Sequence, residues 1–143
     1  LPASEKLHLD TVLPMMAEAY AAETQGRVIL DWQLLPLSLE APRSVLEIIF
    51  TNLLRNSLRA ASHKVIVRLE PPGHIVIEDD GDGVPAELLP HIFEPGVKGR
   101  GGGSGMGLYI AKTLADRVGW TLSLNARSSG TGTQTRLSFR VTL

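Results

Sequence analysis

The sequence predicts an α+β domain of two layers, a mixed β-sheet covered on one face by helices. Stretches of strand period and of helical period interleave along the chain without regular βαβ alternation, which disfavours a doubly wound parallel sheet. The 143 residues carry no internal repeat and no interdomain linker, and they suffice to bury a core, so one domain over residues 1–143 is expected.

Asp10 is a plausible helix N-cap, and Val12, Leu13, Met16, Ala19 and Tyr20 recur at helical spacing until Gly26 ends the pattern. Arg27 to Leu35, rich in Val, Ile and Trp, reads as a strand that Pro36 breaks before a short loop to Pro42. A second helix runs from about Pro42 to Ala61, because Val45, Leu46, Ile49, Phe50, Leu53, Leu54 and Leu58 keep the spacing of a broad buried face. Lys64 to Leu69 and His74 to Asp79 alternate apolar and polar residues around Pro71-Pro72-Gly73, the pattern of a hairpin. A short helix is expected around Ala86 to Leu89, then a glycine-dense loop, Gly96 to Ser104. A third helix from about Gly105 to Val118 stops at Gly119. Trp120 to Ala126 and Thr133 to Thr142 read as two more strands, joined by a turn at Ser128 to Gly132.

Composition excludes more than it selects. Fourteen Lys and Arg stand against 15 Asp and Glu, a formal net charge of -1, so no overall field draws in nucleic acid or an anionic membrane. There is no cysteine, which removes disulfides, thiol catalysis and cysteine-ligated zinc and fits a reducing, cytoplasmic compartment. The most apolar stretch, Val45 to Leu54, is interrupted by Glu47, Thr51 and Asn52, far short of the roughly eighteen residues of a membrane span. The opening Leu-Pro-Ala-Ser is neither a leader nor a natural start, so a piece of a longer protein is expected.

Three segments carry candidate chemistry. Asn52 and Asn56 lie four apart on the second helix, roughly 40° apart around its axis, and two carboxamides in an apolar helix need partners. Backbone groups, or a bound ion and its waters, would serve equally. Arg59, one turn on, either faces an anion near the same place or is a solvated helix residue. Glu78-Asp79-Asp80-Gly81-Asp82-Gly83 crowds carboxylates beside glycines directly after a strand. It is an acidic surface turn, a calcium loop lacking the closing glutamate, or a ligand-facing turn. Gly101 to Leu108 is glycine-rich and leads straight into a helix, so free N–H groups and the positive helix end suit a phosphate. It is not a Walker loop, since no Gly-Lys-Ser or Gly-Lys-Thr follows. Lys98 and Arg100 lie in the same loop, within reach of such a phosphate or simply solvated.

In this order the segments resemble the boxes of sensor histidine kinases, in the superfamily that also holds DNA gyrase, the large heat-shock chaperone ATPases and the MutL repair proteins. Leu46 to Ser57 resembles the N box, Asp79 to Val84 the first glycine box, Ile92-Phe93-Glu94-Pro95 the F box, and Gly103 to Leu108 the second glycine box. Gly130-Thr131-Gly132-Thr133 resembles the closing Gly-Thr element. The resemblance spans essentially the whole chain and implies a Bergerat-type two-layer α/β sandwich, three helices on one face, with a mobile ATP lid between Phe93 and Met106.

The resemblance also implies roles. Asn56 would bind Mg²⁺, and Asp79 would accept a hydrogen bond from the adenine amino group of ATP, with Gly81 and Gly83 closing the turn against the base. Gly103, Ser104, Gly105, Met106, Gly107 and Leu108 would contact the phosphates, Phe93 would anchor the lid and Thr133 would lie near the adenine. Asn52 would join the site, while Arg59 and Lys98 would supply phosphate-directed cations. Gly96 stands where a second aromatic is usual, implying looser lid anchoring, and Ser57 where alanine is usual. The loop ahead of the N-box helix ends Ala41-Pro42 in place of Asp-Pro.

Family hydrolases carry a glutamate base one turn before the magnesium asparagine, and here that residue is Asn52, an amide without basicity at neutral pH. The expected function is therefore a histidine kinase: binding Mg-ATP and passing its γ-phosphate to a histidine on a separate dimerisation and phosphoacceptor helical domain, upstream of a response regulator. A degenerate nucleotide-binding module and a serine kinase acting on an anti-sigma antagonist are the alternatives. None of His8, His63, His74 and His91 sits on a helix ahead of an acidic residue, as a phosphoacceptor would.

Overall fold

The structure, a computed structural model, describes residues 2–97, 105–126 and 132–139. Along these the chain runs β1 (Glu5–His8), α1 (Leu9–Glu23), β2 (Ile29–Gln33), β3 (Ser38–Ala41), α2 (Arg43–Ala60), β4 (Lys64–Glu70), β5 (His74–Asp79), a 3₁₀ turn (Leu89–His91), α3 (Gly107–Arg117), β6 (Thr121–Ala126) and β7 (Thr133–Ser138). Five strands form one sheet in the order β2-β4-β5-β7-β6. β2 is parallel to β4 and every other pairing is antiparallel, so the sheet is mixed as expected. The parallel pair needs a crossover, and β3 and α2 supply it.

Alternation along the strands creates two unlike faces. The helix-facing side carries Val65, Val67 and Leu69 of β4 and Ile75 and Ile77 of β5, all at most 3% exposed. Against it pack Leu46, Ile49, Phe50, Leu53 and Leu54 of α2, Leu9, Leu13 and Ala17 of α1, and Leu108, Ala111 and Ala115 of α3. At ~25 cal/mol per Å² this apolar burial is the main force holding helices to sheet. Trp120 meets Phe139 edge to face, with centroids 4.8 Å apart, and closes the β6 end of the core.

The other face is a charged lattice. Glu78 accepts from both Arg68 and the Gln134 Nε2, the latter at 2.8 Å, and Glu70 accepts from Arg136 at 2.9 Å. Val76, fully buried, lies between Arg68 and Arg136 in register. The Arg136 hydrogen bond, outweighing burial, holds the Glu70 carboxyl below its ordinary range, and the bond to Glu78 raises the Arg68 guanidinium further.

Several boundaries differ from expectation. β1 and β3 pair antiparallel as a separate two-stranded sheet, where the sequence reads as loop. α1 begins at Leu9 with His8 as N-cap, and Asp10 lies in its first turn with Oδ1 3.5 Å from the Leu37 N–H. Arg27 is not in β2: its guanidinium donates to the Leu58 and Ala61 carbonyls, both at 2.8 Å, tying off the last turn of α2. The short helix falls at Leu89–His91, and α3 starts two residues later than Gly105.

Candidate functional site

α2 packs on β4 and β5, α3 packs on β6, and the two helices pack on each other. β7 lies between β5 and β6, so its helix-facing residues, Thr133 and Thr135, run beneath the seam between α2 and α3. Most of the described candidate residues lie along this seam, and Arg59 does not.

Asp79 closes β5 at 1% exposure. Its Oδ2 accepts from the Thr133 hydroxyl at 2.7 Å and its Oδ1 from the Gly81 N–H at 3.0 Å. Gly81 is required by proximity, because a Cβ there would meet the Ala60 carbonyl oxygen at 2.1 Å. That contact sets the last turn of α2 directly over the turn that follows Asp79. Gly132 does the same from the β7 side, at φ +79 and with the Asp79 oxygen 2.0 Å from any added Cβ. Gly83 lies against Gly132 in turn.

The carboxylates of the acidic turn disperse. Glu78 points to the charged outer face, Asp79 into the seam, and Asp82 to solvent. Asp80 turns back to the α2–β4 junction, where Oδ1 accepts from the N–H groups of Ser62, His63 and Lys64 at 2.9, 3.0 and 3.1 Å. Partial burial disfavours its charge, but the donors of His63, Lys64, Ser62 and Asp80 itself outweigh this and hold its carboxyl below the ordinary value. Among the described residues no group of three or more His, Asp or Glu converges, which removes the calcium-loop reading.

The two asparagines separate. Asn52 Nδ2 donates to the Ile48 carbonyl at 2.8 Å, satisfying half its amide within the helix, while its Oδ1 sits 3.1 Å from where a Gly107 Cβ would be. The Asn56 Nδ2 is buried with no partner among the described residues. α3 begins at Gly107 with Met106 as N-cap and no side-chain cap. Ile110 N–H reaches back to the Met106 carbonyl at 2.9 Å, so the Gly107, Leu108 and Tyr109 donors lack intrahelical partners, and Gly107 lies beside Asn52. Leu108 buries its side chain in the core.

Two further contacts frame this end. Phe93 is half-buried against the core, and the Gly96 N–H donates to the Gly105 carbonyl at 3.0 Å, tying the two chain stretches together by their backbones. Lys98, Gly103 and Ser104 lie outside the described residues. Arg59 stands apart. It is exposed and lines a pocket of about 350 Å³ on the α1 side of α2, with Tyr20, Glu23, Arg27 and Arg55, and no other candidate residue borders it. Arg55 there lies over the Tyr20 ring, 5.1 Å from its centroid.

Residues 42–143 match the family described as histidine kinase-, DNA gyrase B- and HSP90-like ATPases, and the chain belongs to that family. Within it the chain is homologous to sensor histidine kinases. It is 34% identical over 134 residues to the sensor histidine kinase GtrS of Pseudomonas aeruginosa, a match covering 88% of this chain and 27% of that protein. The chain thus spans about a quarter of the length of GtrS. Its fold matches the mycobacterial sensor histidine kinase MprB with a TM-score of 0.82, at 24% identity over 94% of this chain and 95% of that one. It also matches full-length ShkA in complex with AMPPNP, with a TM-score of 0.81 and 20% identity, covering 96% of this chain and 31% of that one. The α+β class, the three helices and the mixed five-stranded sheet are those of histidine kinase catalytic domains.

Proposed function

We propose that the chain binds Mg-ATP in the seam between α2 and α3 and donates the γ-phosphate to a histidine on a separate dimerisation and phosphoacceptor domain, within two-component signalling. The observation that carries this is Asp79: a buried carboxylate pinned by Thr133 and Gly81 under the seam, positioned to accept from an exocyclic amino group. Full-length ShkA, part of which shares this fold, is in complex with the ATP analogue AMPPNP.

On this reading the residues take the following roles. Asp79 selects adenine, with Thr133 fixing its carboxylate and Gly81 and Gly83 letting the turn approach the base. The uncapped donors at Gly107 and Leu108, with Gly105 and Met106 just ahead, receive phosphate oxygens at a helix N-terminus. The loop holding Lys98, Gly103 and Ser104, with Phe93 at its base, acts as the lid. Arg59 lines the pocket on the α1 side of α2 with no other candidate residue, so a phosphate-directed role for it would require the phosphates to reach that side.

The chain fits one Mg²⁺ bound mainly through phosphates: Asn56 would offer its carboxamide oxygen to the ion, its buried and unpartnered Nδ2 would be left to donate to a phosphate oxygen or a water of the ion, and no protein carboxylate cage competes among the described residues. The ion, when bound, neutralises charge on the transferring phosphoryl. In the transfer an acceptor imidazole nitrogen forms the bond to Pγ as the bond to the bridging oxygen breaks, leaving ADP. The chain's share is positioning and charge stabilisation. Asn52 fits this and not hydrolysis, because an amide bonded to Ile48 is no general base for water. No described helix is long and apolar enough to cross a membrane. On this reading the domain works in the cytoplasm, docked to the phosphoacceptor helices and upstream of a response regulator.

Calorimetry with ADP and Mg²⁺ on the folded chain tests the proposal. Binding is expected, and its absence would favour a degenerate module.

A further inference from the structure

Two buried hydroxyls along the seam are not used by the fold. Ser57 and Thr135 are 0% and 1% exposed, and neither side-chain oxygen has a hydrogen-bond partner among the described residues. A helical serine or threonine ordinarily satisfies itself on the carbonyl four residues back, as Thr51 does on Glu47 at 2.7 Å. Ser57, on the same helix, does not. Alanine would suit a fully buried helical position better on propensity alone. Buried polar atoms without partners are rare and costly, and the cost is recovered when a ligand or a held water supplies the partner.

Their placement points to one ligand. Thr135 is two residues after Thr133 on the same face of β7, opposite Ile77 of β5, so its hydroxyl lies one rung deeper than the Asp79–Thr133 pair. Ser57 lies one turn before Ala60, whose carbonyl crowds Gly81, and about 40° from Leu53 around the helix, on its sheet-facing side. One hydroxyl therefore comes from the sheet-facing side of the helix and one from the helix-facing side of the sheet, within one helical turn and one rung of the Asp79 turn. The neighbouring Asn56 Nδ2 is the third unpartnered atom.

We propose that Ser57 and Thr135 are specificity-determining residues of the base pocket, hydrogen-bonding the purine edge beside the amino group that Asp79 receives, directly or through one held water. This rests on the adenine-nucleotide reading of the site and names who else recognises the base. Removing either hydroxyl should help the empty domain and harm the complex, a pairing that a packing role would not give.

The test is titration of the 143-residue chain with ADP and Mg²⁺, together with thermal melting of the nucleotide-free chain, for Ser57→Ala, Thr135→Val and Thr135→Ser. Ser57→Ala and Thr135→Val should each weaken ADP binding by about three- to tenfold. Both should raise the melting temperature of the empty chain by about 3 °C. Thr135→Ser, which keeps the hydroxyl, should stay within about twofold of the parent. The proposal is overturned if both hydroxyl-free variants keep the parent's ADP affinity. It also fails if their empty forms melt below the parent, showing hydroxyls already paired in the protein, or if Thr135→Ser loses as much affinity as Thr135→Val. A parent chain that does not bind ADP at all overturns the nucleotide reading itself, and this inference with it.

Discussion

Asp79 and Asn56 ask different things of a substitution. Asp79→Asn keeps the shape and one acceptor for Gly81 or Thr133, but it turns a charge-assisted acceptor into a neutral amide that can present N–H to an adenine amino group. The expected loss in ADP affinity is about 1.5–3 kcal/mol, read by titration with guanine nucleotide as control. Unchanged affinity would reduce Asp79 to a turn residue held by Thr133 and Gly81. Asn56→Ala removes an amide nitrogen that the protein leaves buried and unpartnered, so the fold should keep or slightly gain stability. What should fall is the dependence of ATP binding on Mg²⁺, followed by titrating with and without the ion. An unfolded Asn56→Ala chain would make that amide structural. Asn52, already bonded to Ile48, should be the more stabilising of the two asparagines, and a denaturation series on both alanine variants ranks them.

Among the elements, the junction between α2 and β4 is held by two side chains, Asp80 and Arg27. Asp80 gathers three successive N–H groups at the end of the helix, and Arg27 takes the carbonyls on the other side of the same turn. Asp80→Asn should therefore cost about 1–2 kcal/mol at pH 6, measured by urea unfolding. Because the folded carboxyl lies below its ordinary value of 3.8, its stabilisation is present above about pH 4 and is lost as pH falls through the folded value. The parent and the asparagine variant should thus converge in acid, and a gap that persists at pH 2 would show that charge is not what holds the junction. This anchor is not legible in the sequence, where Asp80 is one of four acids in a turn and its partners lie 16 to 18 residues upstream. The helices and the β4–β5 hairpin are legible because their apolar residues recur densely enough to fix a period. β1 and β3 are not, since each buries a single residue of four, Leu7 and Ala41, and Pro36 reads as a breaker. Of the site, the ordered glycine and asparagine segments are legible. The hydrogen bond of Thr133 to Asp79, 54 residues back, is not legible, since the resemblance implies only that each lies near the adenine, and the orphan hydroxyls of Ser57 and Thr135 look like ordinary core positions until burial and bonding are known.

At the scale of the molecule the proposed transfer turns on which histidine would receive the phosphoryl group. An acceptor imidazole must approach in line with the γ-phosphate from outside the seam, and the chain's own histidines are badly placed for it. His8 caps α1 with its ring on Ser38, His63 is exposed beside Asp80, His74 opens β5 at the hairpin, and His91 pairs with Glu94 in a single 3₁₀ turn. None stands on a helix of more than one turn: His63 lies just ahead of β4 and His74 is the first residue of β5. The expected outcome is that the chain, incubated with radiolabelled ATP and Mg²⁺, acquires no acid-labile phosphate. Mixed with the histidine-bearing helical segment of its own gene, it should label that segment and nothing else. Label on the chain itself would mean that one of these four histidines reaches the γ-phosphate, and an acid-stable label on serine would move the domain to the serine kinases that share its boxes. Either result would sink the proposal of a catalytic domain that transfers to a separate histidine, while leaving the proposed nucleotide binding between α2 and α3 standing.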